Sequence, residues 1–149
     1  MVEGKNRPKI VSVSLNLAHT GNLIIKSCLI MNNFRKLNIW KYSVELATEV
    51  YELTTQFPKS ELYGLTSQIR RSVVSISSNI AEGAGRQSQK EFIQFLNIAK
   101  GSSYELETQL LISKNLEYIS DEEYQMLENK LIEIQKMTYA LIKKLNQLI

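Results

Sequence analysis

Between Trp40 and the C-terminus, apolar residues recur at alternating spacings of four and three in four successive segments. Each such row follows the 3.6-residue helical period, so the chain carries four apolar stripes that have to be buried against one another. The first is Trp40, Val44, Ala47, Tyr51 and Thr54. Phe57-Pro58 closes it, because proline cannot continue a helix and restrains the residue before it. The second runs from about Leu65 to Glu82 through Ile69, Val73, Ile76 and Ile80. The third opens on Ser88-Gln89-Lys90-Glu91, a capping-box pattern, and carries Phe92, Leu96, Ala99, Ser103, Leu106 and Leu110 as far as about Asn115. A second capping box, Ser120-Asp121-Glu122-Glu123, opens the fourth, with Leu127, Leu131, Ile134, Thr138, Leu141, Leu145 and Leu148. Short connections force sequential helices to lie side by side. The spacing therefore predicts an all-α protein, an antiparallel up-down-up-down four-helix bundle.

A chain of 149 residues, 44% hydrophobic, suffices for one domain with one core. Its only cysteine, Cys28, excludes an intramolecular disulfide, and the cytoplasm is the expected compartment. Residues 1–30 differ in kind. Val11 to Leu17 alternates apolar and polar, and with Leu23-Ile24-Ile25 a weak hairpin can be drawn, but a lone hairpin is marginal in water. Asn16, His19, Asn22 and Lys26 interrupt the apolar run that a signal peptide needs, and no stretch approaches the roughly 20 residues of a membrane span, so no membrane partner is expected. We read residues 1–30 as a disordered or vestigial extension, with a short ordered arm as the alternative, and residues 31–149 as the bundle, with Met31 resembling a natural start.

Charge divides the same way. Residues 1–30 hold four of the 18 basic groups and one of the 15 acidic ones, leaving 14 of each in the bundle. A neutral bundle has no global field to attract nucleic acid, so any polyanion site must be a local patch or arise by assembly.

The stretch GLTSQIRRSVVSISSNIAEGAGR, residues 64–86, sets two adjacent arginines, several serines, an asparagine and a glutamate among isoleucines and valines. Gly83-Ala84-Gly85 lacks a dinucleotide or P-loop spacing and follows no strand, so its glycines read as a left-handed helix cap. At about 100° per residue, Gln68, Arg71, Ser75, Asn79 and Glu82 fall together beside the apolar stripe, while Arg70 points toward Ser77 and Ala81. The strip reads either as a polar flank whose serines permit close helix approach or as a recognition surface. Val74 and Ala81 on the second helix, and Phe95, Ile98 and Ile112 on the third, lie off the main stripes. A helix apolar on more than one side needs more than one neighbour, which points to an oligomer interface at Val74, Ala81, Phe95 and Ile98, with broad-core packing inside the bundle as the alternative.

Catalysis finds little support. The only histidine, His19, lies in the extension, so the bundle offers no Glu-x-x-His metal ligands, no Cys/His zinc site and no histidine-assisted nucleophile. Glu105 and Glu107, two apart on a helix, point about 200° away from each other, and read as partners for Arg70 or Arg71 rather than as an acid–base pair. No enzyme activity, metal or cofactor is expected.

Phe57-Pro58-Lys59, the 64–86 stretch, FIQFLNIAKGSSYELETQLLIS and LEYIS closely resemble the bacterial four helix bundle protein family, also called the S23 or 23S ribosomal RNA intervening-sequence protein family. The resemblance covers about Phe34 to Leu145. It implies a protomer that assembles into a ring-like homopentamer, with genes in intervening sequences of ribosomal RNA genes. A related branch, the accessory variability protein of diversity-generating retroelements, partners a reverse transcriptase and binds nucleic acid through a strongly basic pentamer. The neutral bundle departs from that branch. Positions that match the family are Gln68, Arg70, Arg71, Asn79, Glu82, Arg86, Glu105 and Glu107.

Two functions follow as expectations. The first is an oligomer that contacts RNA or DNA backbone through Arg70, Arg86, Lys90 and Lys100, with no base-stacking aromatics interleaved. The second is an oligomeric scaffold for a protein partner such as a reverse transcriptase, the polar strip of Gln68, Arg71, Ser75, Asn79, Glu82, Glu105 and Glu107 serving structure.

Overall fold

Helices α1 (Asn38–Leu53), α2 (Leu65–Ala84), α3 (Gln89–Asn115) and α4 (Asp121–Asn146) make up the molecule in a computed structural model that describes residues 33–147. There is no strand among the described residues, and the readings of residues 1–30 and of Leu148 lie outside them. Each helix packs on its sequence neighbours, and α1 closes the ring against α4. Cross-helix bonds show the directions: Gln56 and Glu49 of α1 and its end meet Glu123 and Lys130 of α4, and Glu107 and Lys114 of α3 meet Gln135 and Asp121. In both pairs one chain ascends as the other descends, which is antiparallel packing.

Three of the four stripes form the core as predicted. Ile69, Val73, Ile76 and Ile80 of α2, Phe92, Leu96, Leu106 and Leu110 of α3, and Leu127, Leu131, Ile134 and Leu145 of α4 are all buried. Ser103 and Thr138 sit in these rows without penalty, because their hydroxyls donate to the carbonyls of Lys100 and Ile134, both at 2.7 Å.

The α1 stripe is displaced by one residue. Its buried row is Ile39, Ser43, Leu46 and Val50, which has the same four-three-four spacing. Ser43 hides this row in the sequence, yet its hydroxyl donates to Ile39 O at 2.6 Å, so burial leaves no polar group unpaired. Of the predicted row only Thr54 is buried; Trp40 and Ala47 are half-buried and Val44 and Tyr51 exposed, on the side toward α2.

The end of α2 also differs from expectation. Gly85 has φ −84° and no described glycine has positive φ, so no left-handed glycine cap forms. Gly83 lies inside the helix, where a Cβ would stand 2.5 Å from Phe95 Cβ. It is there for close approach of α2 to α3. The left-handed position belongs to Glu117 (φ 59°), after α3, where Tyr118 N bonds Ser113 O and Glu117 N bonds Lys114 O in a Schellman arrangement. Of the two capping boxes, that at Ser120–Glu123 is complete. At Ser88 the hydroxyl accepts from Glu91 N, but the Glu91 carboxylate takes the Ser88 hydroxyl rather than its backbone N–H.

Candidate nucleic-acid interface

The polar strip on α2 divides into three parts. Ser75 and Asn79 are half-buried against α3. Asn79 Nδ2 donates to Ser75 O at 2.7 Å, the Ser75 and Ser102 hydroxyls lie 2.8 Å apart, and Ser72 Oγ donates to Gln109 Oε1 at 2.8 Å. Small hydroxyl side chains thus form a ladder between α2 and α3. Glu82 pairs with Arg86 one turn on, an exposed pair worth about 0.3–0.5 kcal/mol. Gln68 and Arg71 remain exposed, and Arg71 has no ion pair among the described residues.

The two adjacent arginines exchange the roles that the sequence suggested. Arg70, expected at a phosphate, folds back on α1: its Nε donates to Thr54 Oγ1 at 2.9 Å and its guanidinium lies 4.8 Å from the centre of the Tyr51 ring. Arg71, expected beside a carboxylate, faces water. Neither meets Glu105 or Glu107. Glu105 accepts from Gln109 Nε2 at 3.0 Å and Glu107 from Gln135 Nε2 at 2.8 Å. The reason is rotation about α2: at about 100° per residue, the side of Arg70 belongs to α1 and that of Arg71 to solvent.

The proposed patch of Arg70, Arg86, Lys90 and Lys100 does not assemble within one protomer. Arg86 follows Arg70 by 16 residues, about 24 Å along a helix, so Arg86 and Lys90 stand at the opposite end of the bundle. The Arg86 guanidinium also covers the Phe95 ring, 4.8 Å from its centre. Lys100 is two residues from Ser102, about 200° round α3, and Ser102 faces α2. Lys100 therefore faces away from both arginines of α2.

What does gather around Arg70 and Arg71 is a groove of about 820 Å³, whose lining includes Tyr51, Leu62, Tyr63, Thr66 and Gln68. Tyr63, in the α1–α2 connection, is 92% exposed. Thr66 lies on the groove at 3% exposure, and its Oγ1 is buried without a hydrogen-bond partner. The α2 N-terminus itself is occupied, since Glu61 Oε2 accepts from Leu65 N at 3.0 Å. Sequence reasoning missed the two tyrosines: Tyr51 was spent on the α1 stripe, and Tyr63 belongs to no helical row. The available signal was an aromatic in a connection, just before a glycine and less than three turns ahead of two arginines.

The four residues expected at an oligomer interface lie off the buried rows, as predicted. Val74 (40%) and Ile98 (52%) are exposed, whereas Ala81 and Phe95 are half-buried, and Phe95 packs within the protomer against Gly83 and Arg86. Among the described residues, no group of three or more His, Cys, Asp or Glu is arranged to hold a metal ion, and no helix is long and apolar enough to cross a membrane.

These features define a small all-α bundle with a groove around Arg70 and Arg71 and with exposed apolar side chains on α2 and α3. The 23S rRNA-intervening sequence protein family matches residues 35–140, and the chain belongs to it. Among solved structures it is similar to a protein of unknown function from the S23 ribosomal protein family of Bacteroides thetaiotaomicron, at 32% identity and a TM-score of 0.64. That likeness covers 70% of this chain and 98% of the other. No curated protein matches the sequence.

Proposed function

We propose that the protein is a non-catalytic, self-associating helical module that contacts nucleic-acid phosphates at the α2 groove. The observation that carries this reading is Arg71, an exposed guanidinium with no ion pair among the described residues, at a groove that also holds Arg70. In a neutral bundle such a contact has to be local, and a ring of copies would repeat it at regular intervals. Self-association is supported by Val74 and Ile98, apolar side chains exposed outside the core. The family description, which refers to intervening sequences of 23S rRNA, is consistent with a nucleic-acid partner.

A salt titration of RNA and DNA binding by filter retention tests the reading. Arg71→Ala should weaken binding and lower the slope of log K against log salt by about 0.7 to 0.9 per lost contact. Lys90→Ala, at the far end, should change neither. Absence of binding by the wild-type protein at about 50 mM salt would reject the reading. The scaffold for a protein partner such as a reverse transcriptase would then remain, favoured by the neutral bundle and by exposed Val74 and Ile98.

A further inference from the structure

We infer that the α2 groove takes an unpaired nucleotide of single-stranded RNA or DNA, its base on the Tyr63 ring and its phosphate on Arg71. The inference rests on the phosphate-binding reading above and adds which form of nucleic acid the groove selects. Backbone contact by Arg71 alone would not distinguish strand from duplex. Tyr63 supplies the distinction. Its ring is 92% exposed, so an aromatic surface stands free beside the groove, whereas the Tyr51 ring is already covered by the Arg70 guanidinium. Bases in a duplex have their faces stacked on one another, and only an unpaired base can offer a face to such a ring.

The remainder of the lining suits the same ligand. At about 820 Å³ the groove is within the roughly 300–1,000 Å³ of small-ligand clefts. Glu105 is the only carboxylate among its lining residues, against Arg70 and Arg71, so the groove keeps an excess of positive charge. The exposed Gln68 amide can pair with base edges. An anion has no claim on the α2 N-terminus, where Glu61 already sits. An acidic peptide would satisfy the arginines but draws no particular benefit from a tyrosine with its ring in water. Every base does, because every base has a π face.

The probes are labelled oligouridylate and oligothymidylate of about 15 nucleotides and a duplex of equal length, measured by fluorescence anisotropy at about 50 mM salt. Wild-type protein should prefer the single strands, and the RNA and DNA arms show whether the sugar matters. Tyr63→Ala should weaken single-strand binding by about 5- to 150-fold, the range of one lost base stack, and leave the duplex unchanged. Tyr63→Phe should keep the preference, since stacking does not use the hydroxyl. Circular dichroism should show both variants folded, as expected for a side chain in solvent. Equal binding of strand and duplex, or no loss in folded Tyr63→Ala, overturns the groove assignment while leaving backbone contact by Arg71 standing. Binding of neither probe overturns both and turns attention to a protein occupant.

Discussion

At Gly83 the distance between α2 and α3 is decided by the absence of one carbon. A Cβ there would meet Phe95 Cβ at 2.5 Å and Phe92 Cδ2 at 2.8 Å, and the Phe95 Cβ is anchored to backbone, so the helices themselves would have to separate. Gly83→Ala should cost about 1–3 kcal/mol in a denaturant titration, the usual penalty of overpacking. Gly101, on the exposed side of α3 where an added methyl would meet nothing within 4 Å, should behave oppositely: Gly101→Ala should stabilise by about 0.5–1 kcal/mol. Two helical glycines look alike in the sequence. Their opposite signs depend on a neighbouring helix. The same holds for Arg70 and Arg71, whose angular separation is legible in the sequence, while the identity of the side that meets α1 is not.

At the scale of the element, helix starts were the most legible features, since a cap is a local arrangement of residues three apart. The Ser120 hydroxyl accepts from Glu123 N, and Glu123 Oε2 accepts from Ser120 N at 2.8 Å. The hydrogen bond from the Ser120 backbone holds the Glu123 carboxyl below its ordinary range, and the Gln56 amide adds to it. A carboxyl depressed in the folded state contributes stability that is present above its unfolded pKa, about 4.3, and is lost as pH falls through the lower folded value. Ser120→Ala should therefore cost about 1 kcal/mol at neutral pH. Glu123→Gln should be less stable than wild type at neutral pH by an amount that shrinks as the wild-type carboxyl is protonated in acid, which thermal melts along a pH series would show. Helix register was less legible. In α1 two rows share one spacing, and the row interrupted by Ser43 is the buried one because its hydroxyl finds the Ile39 carbonyl.

For the whole molecule, self-association is the property that the exposed apolar side chains of α2 and α3 put to the test. Val74 and Ile98 are exposed apolar side chains on adjacent helices, and a charge placed in an apolar contact is costly unless paired. Light scattering of the wild-type protein should show several protomers, five by the resemblance to its family. Val74→Glu and Ile98→Glu should shift the distribution toward monomer without loss of helix, because neither side chain belongs to the buried core. A monomeric wild type at micromolar concentration would refute self-association.

By itself the sequence determined the number of helices, their approximate ends and three of the four buried rows. These are local properties: a 3.6-residue period, a proline stop and a capping serine are each specified within a few residues. Tertiary structure alone decided which of two equally spaced rows of α1 is buried, which arginine is tied to Thr54 and which faces water. It also dispersed the expected patch of Arg70, Arg86, Lys90 and Lys100 over opposite ends and faces, and set Tyr63 and Arg71 on one groove instead. Those outcomes depend on the rotation of each helix about its axis and on the side from which a neighbour approaches, and no periodicity within a single helix encodes either.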